Sequence, residues 1–400
     1  MPLAEVQATM PETLDDIVGC EGVVPGQFIV TLREGARPDP QLLIGRHALS
    51  ERLGLRTATS LVVHGVTADR RAGLERDPDV AAVEPDAIAC ASNGGDFGDE
   101  DADGQAGKGK PGGGGTPAPQ AVPAGVDRVG ADEIANTGAG VTVCIVDSGV
   151  DYNHADLSAR FGATKGFDFI NNDTNPMDDN GHGTHVAGTV AATDNTGDVI
   201  GVAEGATLLA AKVLNRRGSG SYSAIIAGVD YCVAQGAQVI NMSLGGPANS
   251  AGLAASLQSA RDAGVTVVVA AGNDGVDLGV TPSYPAAYDG VVITVSAAWV
   301  DEAARNFGDP VSYPTFSNYG SAVDLSAPGV YVVSTKKGGG TTSMSGTSMA
   351  SPHVAGAAAL YLAANPGTSP AAVEDALEAN TEDVNNVSVH PEELLDVRAL

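Results

Sequence analysis

The sequence predicts an α/β protein, a doubly wound and mostly parallel sheet with helices on both faces, preceded by a small α+β unit. Three observations predict it. Past residue 118, short and nearly continuous apolar runs alternate with segments of helical spacing, as strands buried on both faces and their crossover helices do. Between residues 26 and 91 the alternation runs on a smaller scale. Residues 92–118, SNGGDFGDEDADGQAGKGKPGGGGTPA, hold Gly, Asp and Pro with almost nothing to bury and read as a flexible linker between the two.

Residues 1–25 show no periodicity and read as an N-terminal extension. From Gly26, QFIVTLREG alternates like a strand and PQLLIGRHALSERLG has helical spacing; SLVVHGV is a second strand, and RRAGLERDPDVAAVEPDAIAC gives helix then strand. In the 119–400 domain the predicted strands are VTVCIVD, LLAAKVL, AQVINMSL, VTVVVAAGN and VVITVSAA. The predicted helices are HVAGTVAAT, YSAIIAGVDYCVAQG, ASLQSARDAG and VAGAAALYLAA, the last with Pro352 in its first turn, where a missing N–H costs little. Chemistry in such folds gathers at the carboxyl ends of the strands.

Composition narrows the function. Lys and Arg number 21 against 49 Asp and Glu, a formal charge of −28, so a phosphate backbone is repelled and nucleic acid is excluded as a partner. An acidic, Lys-poor surface also fits a salt-rich habitat. The four cysteines, Cys20, Cys90, Cys144 and Cys232, contain no CxxC; with Cys144 in an apolar strand and Cys232 in a helix, buried free thiols are expected, with a Cys144–Cys232 disulfide as the alternative. No run approaches a membrane span, and the N-terminus has no apolar core of signal-peptide length.

Three segments carry reactive groups. Ser348 sits in Gly346-Thr347-Ser348-Met349-Ala350 at a loop-to-helix junction, where unpaired N–H groups and the helix dipole favour negative charge; the alternative is a simple cap. Asp147 ends the strand VTVCIVD, again with a cap as the alternative. His182 opens a helix within Gly181-His182-Gly183-Thr184-His185, whose glycines allow close approach of another segment. His182 and His185 do not form a zinc motif, because the HExxH glutamate and a third ligand are missing. The order Asp, His, Ser is one of the known chain orders of a catalytic triad.

With DSGVDYNHADL, NGHGTHVAG, NMSLGG, AAGND and GTSMASPHVAG in that order, residues 119–400 resemble the subtilisin-like serine proteases (the subtilase family). The resemblance implies a subtilisin-like fold, with Asp147, His182 and Ser348 as the triad and Asn273 as the side-chain donor of the oxyanion hole. It implies substrate-binding edges at Gly218, Ser219 and Gly220 and at Ser243, Leu244 and Gly245. The primary pocket would be bordered by Ala270, Ala271, Gly272 and Asp274, a more distant one by Tyr222, and the small walls suggest a broad, apolar or aromatic preference. It also implies a structural calcium ion held by side chains of Gln120, Asp156 and Asn195 and carbonyls of Thr193, Gly197 and Val199. The bare reading of that loop is a polar turn. The acids around Asp168, Asp173 and Asp178 are not distinguished from a solvated charge cluster.

By the same resemblance, residues 26–91 are an inhibitory propeptide of ferredoxin-like α+β fold, cleaved somewhere after Cys90. Protein and peptide substrates, the propeptide as intramolecular inhibitor, a monomeric state and secretion are expected of the family, with a cytoplasmic location as the alternative. Two other enzymatic or inactive readings compete: an α/β-hydrolase-type esterase, which needs Asp and His after Ser348 where only 52 residues remain, and a catalytically inactive homologue acting as a binding protein. A dinucleotide-binding module is disfavoured because no GxGxxG follows a strand.

Overall fold

The computed structural model describes residues 19–33, 40–47, 49–56, 60–91, 120–300, 306–384 and 390–400. The expected linker at 92–118 and most of the expected N-terminal extension lie outside the described residues.

The N-terminal unit runs β1 (Val23–Leu32), α1 (Pro40–His47), β2 (Ser50–Arg56), β3 (Ser60–His64), α2 (Ala68–Leu74) and β4 (Val80–Ala91). Its strands pair antiparallel in the order β4-β1-β3-β2. Side chains of β1 alternate between two cores: Val30 packs with Leu43, Leu61, Val63 and Leu74 beneath the unit's own helices, whereas Ile29 joins a cluster shared with the large domain. The helix expected across PQLLIGRHALSERLG is half wrong. It stops at His47, and from Ser50 the chain is β2, with Ser50 opposite His64 and Glu51 opposite Val63. Pairing with β3 satisfies that backbone and overrides a short helical pattern.

The large domain runs α3 (Ala124–Arg128), β5 (Thr142–Asp147), β6 (Phe161–Asp168), α4 (His182–Ala191), β7 (Thr207–Lys212), β8 (Ser219–Ser221), α5 (Tyr222–Ala234), β9 (Val239–Met242) and β10 (Leu244–Gly245). It continues with α6 (Ala251–Asp262), β11 (Thr266–Ala270), β12 (Ile293–Ala298), β13 (Leu325–Pro328), β14 (Val332–Thr335), β15 (Thr341–Met344), α7 (Thr347–Ala364), α8 (Pro370–Glu378), β16 (Thr381–Glu382) and β17 (Leu394–Leu395). A nine-stranded sheet has the order β16-β17-β13-β12-β11-β9-β5-β7-β6. Its pairings are parallel except β16 with β17. Cys144 and Val146 of β5 face the side covered by α5 and α6, while Val143 and Ile145 face the side covered by α4 and α7. Both faces are dry, so the strand reads as one apolar run.

Two expectations are corrected. The cysteines are not free thiols: Cys20 pairs with Cys90 and Cys144 with Cys232, their Cα atoms 5.2 and 5.9 Å apart. The Cys144–Cys232 alternative is the one realised, because β5 presents Cys144 to the face that α5 covers. Pro352 is not in the first turn, since α7 begins at Thr347 and the proline lies inside it. The Ser348 carbonyl, which Pro352 cannot serve, accepts a hydrogen bond from Ser243 Oγ at 2.9 Å.

Candidate active site

Asp147 and His182 meet at the carboxyl end of the central sheet. Asp147 is the last residue of β5 and His182 the first of α4, and the ring Nδ1 lies 2.8 and 2.9 Å from the two carboxylate oxygens. Both side chains are buried. A Cβ on Gly183 would meet the Gly149 carbonyl oxygen at 2.1 Å and Asp147 Oδ1 at 3.1 Å, so this glycine is what lets α4 approach β5 so closely. Burial pushes the His182 pKa down, but the charge and hydrogen bond of Asp147, and then the charge of Asp178, outweigh it and hold the ring above the ordinary histidine range. His185, on the same helix but bonded to the Val332 carbonyl, is pushed by burial down to about 3 and stays neutral.

Ser348 is the second residue of α7, not its cap; Gly346 holds that position without a side chain. Its hydroxyl donates to the Ser243 carbonyl at 3.1 Å. Ser243 follows β9, which neighbours β5 in the sheet, so the hydroxyl is anchored at the same sheet end as the Asp147–His182 pair. His182 Nε2 is buried and has no hydrogen-bond partner among the described residues. The link from imidazole to serine is therefore not closed in this state; such bonds are often long or misaligned before the reacting complex forms.

Asn273 is oriented from one end. Its Oδ1 accepts from the backbone N–H of Thr347 at 2.9 Å and from Thr347 Oγ1, which makes the NH2 group its donor end. The loop beneath it is fastened by Asn318, whose Oδ1 accepts from Asp274 and Val276 N–H groups and whose Nδ2 donates to the Ala271 carbonyl. Sequence reading missed Asn318, and its isolated position in SNYG gives no signal. Ala270, Ala271 and Gly272 are buried, whereas Asp274 is exposed.

The two expected substrate edges are both filled by the chain itself. The end of β4 pairs antiparallel with β8, Ile88 opposite Ser221, Ala89 opposite Gly220 and Cys90 opposite Ser219. On its other side it pairs with β10, Cys90 opposite Gly245 and Ala91 opposite Leu244. The Ala91 N–H donates to the Gly218 carbonyl at 2.9 Å. Tyr222 is buried under this strand's path, with its phenol pKa raised by burial. Two carboxylates of β4 also grip the domain below. Glu84 accepts from the Ala251 and Gly252 N–H groups and Ser250 Oγ at the start of α6, and Asp86 accepts from Ser223 N–H and Oγ at the start of α5. Neither was singled out from sequence; acids flanking Pro85 look like solvated charges.

The expected calcium cage was tested on its donor set. Asp156 Oδ1 is buried with no partner among the described residues, and a Cβ on Gly197 would strike both it and Asn195 Oδ1, so the two oxygens face one small space that only glycine leaves open. Asp156 Oδ2 accepts from the Asp198 and Val199 N–H groups. The Gln120 Nε2 donates to the Thr193 and Val199 carbonyls and its Oε1 accepts from the Asn195 N–H, so Gln120 touches three of the other five expected ligand residues. An orphaned carboxylate oxygen amid amide and carbonyl oxygens suits a hard cation. Asp168 and Asp178, by contrast, spend their oxygens on backbone N–H groups and neighbouring side-chain donors.

Residues 138–392 match the family model described as Subtilase family. The chain is 42% identical to Subtilisin DY of Bacillus licheniformis over 284 residues, 70% of this chain and 98% of that relative. It is 38% identical to Subtilisin NAT of Bacillus subtilis subsp. natto over 331 residues, 82% of this chain and 76% of that relative, an alignment longer than residues 120–400 alone. Among solved structures, a cold adapted subtilisin-like serine proteinase is similar with a TM-score of 0.60 and 35% identity, covering 69% of this chain and 98% of that one.

Proposed function

Because this chain belongs to the subtilase family and is a subtilisin-like serine protease, we propose that it is a self-processing endopeptidase using Asp147, His182 and Ser348. The observation that carries this reading is the strand Ile88–Ala91 lying between β8 and β10 as a peptide substrate would. Ser348 is too weak an acid to attack an amide unaided, so His182 takes its proton and returns it to the leaving amine. Asp147 fixes the ring through Nδ1 and stabilises the imidazolium. The Asn273 NH2 group and the Ser348 N–H stabilise the oxyanion.

Residues 26–91 act as a propeptide of ferredoxin-like fold; the βαββαβ order and the β4-β1-β3-β2 sheet support this. Self-cleavage falls just beyond Ala91, the residue that ends β4 and is paired with the Gly218 carbonyl and with Leu244. Gln120, Asp156, Thr193, Asn195, Gly197 and Val199 hold a calcium ion that ties the first residues of the large domain to its body and supplies no chemistry. Backbone pairing along β8 and β10 gives broad specificity, with apolar or aromatic preference set by Ala270, Ala271 and Gly272. The enzyme is secreted and monomeric and acts on protein substrates. Ser348→Ala tests the core of this reading. The variant should accumulate as a folded, full-length chain, and normal self-processing by it would overturn the nucleophile assignment.

A further inference from the structure

Asp178 lies four residues before His182, outside the three side chains assigned to the chemistry, yet it is buried beside them. Its Oδ1 accepts from Ser148 Oγ at 3.0 Å, Asn180 N–H at 2.9 Å and Gly181 N–H at 2.8 Å. Its Oδ2 accepts from Thr184 N–H at 3.0 Å and Thr184 Oγ1 at 2.5 Å. A helix cap needs only the Thr184 contact. The bond from Ser148 reaches across to the other half of the site. Ser148 Oγ also accepts from the N–H of Gly183, next to His182, and the Ser148 N–H donates to Asp147 Oδ1 at 2.6 Å. One hydroxyl thus joins the turn carrying the acid, the turn carrying the imidazole, and Asp178.

We propose that Asp178 is a positioning residue for proton transfer, a second buried carboxylate that sets the mutual orientation of Asp147 and His182 through Ser148 and places negative charge beside the imidazolium. The inference rests on the triad reading above. Every donor to Asp178 named here is neutral, so its charge is solvated by dipoles and not cancelled by a contacting cation. Other charged groups among the described residues are engaged elsewhere. From β5 comes Asp147, and from the turn after it Asp151, whose carboxylate accepts from Asn153 and Gly338 N–H groups. From β7 comes Lys212, held by Asp179 and the Ser148 and Leu214 carbonyls. From the β14–β15 turn comes Lys337, on the Asp179 carbonyl. His185 is neutral. The two cations are thus engaged around Asp179, one residue beyond Asp178. The raised pKa of His182 has the Asp178 charge among its causes, after Asp147.

The test compares the self-processed wild type with Asp178→Asn, whose side chain keeps the shape and loses the charge. Peptide hydrolysis across the acid limb should show the kcat midpoint moved down by roughly half to one pH unit, with kcat reduced about tenfold or more and KM within twofold. A variant that only melts earlier, with kcat and the acid limb unchanged, overturns the proposal. Should Asp178→Asn fail to fold, Ser148→Ala removes the bridge and leaves the charge. It should lower kcat with the acid limb in place, and an unchanged kcat overturns the orienting role. His182→Ala is run alongside on the full chain. If it still self-processes, the triad reading has failed; if it does not, while Asp178→Asn behaves as wild type, only the present inference has failed.

Discussion

On the propeptide reading proposed above, the Cys20–Cys90 disulfide should govern how long the processed segment stays in the cleft. Cys90 is the residue of β4 that faces Ser219 on one side and Gly245 on the other, and the bond spans 70 residues of chain. Closing a loop of that length removes about 4 kcal/mol of chain entropy from the unfolded propeptide. A unit this small is only a few kcal/mol stable on its own, so Cys20→Ser, which leaves Cys90 in place, should leave the released segment largely unfolded. Because only the folded segment fits the cleft, its apparent affinity should fall by at least tenfold and by up to about a thousandfold, the full conversion of that energy. The assay is the lag before peptide-hydrolysing activity appears in purified, processed complex. Cys20→Ser should shorten the lag, a dithiol added to the wild type should reproduce the short lag, and the dithiol should leave the variant's lag alone. Identical lags in wild type and variant would refute the reasoning.

Three further outcomes follow from the contacts. Glu84→Gln replaces a charged acceptor by a neutral one at the start of α6 and should weaken the proposed inhibition by residues 26–91 by about 1 to 2 kcal/mol, five- to thirtyfold, read as the concentration of that segment needed to silence the processed large domain. Chelation should lower the melting temperature of the wild type, because an ion bound only to the folded state stabilises it by mass action, while Asp156→Asn should melt low and respond little; a wild-type curve that chelator does not move removes calcium from the account. Asp324, close to Glu374 and Glu378, has its carboxyl pKa raised by burial to about 7 from 3.8. The folded state then keeps a proton that the unfolded chain has lost, so stability should decline as pH rises from about 4 to about 7 and level off above. The loss is roughly 2 to 4 kcal/mol, and melting curves of Asp324→Asn should lack it.

The sequence made the site legible where chemistry demands a residue type at a fixed spot on the sheet. Asp147 closes an apolar run, His182 is flanked by glycines that permit contact with it, and the two edges at 218–220 and 244–245 pair with the chain's own β4. It was mute where the partner is distant in the chain. Nothing local to Ser50–Arg56 announces pairing with β3, and nothing local to Cys144 announces that α5 will cover it. Pro352 misled because its cost is relieved from another part of the chain, by Ser243 just after β9. Asn318, Glu84 and Asp86 escaped for the same reason, since each serves backbone groups far from its own segment.

The strand of β4 wedged between β8 and β10 bears on solubility as well as catalysis. A groove that recognises extended backbone on both walls is, when empty, a pair of unsatisfied ladders ready to take up any neighbouring chain, including another copy emerging from synthesis. Holding its own segment there from the outset keeps those ladders quiet through the crowded, partly folded stages of the molecule's life. Expression of residues 120–400 alone should accordingly favour insoluble material over soluble enzyme.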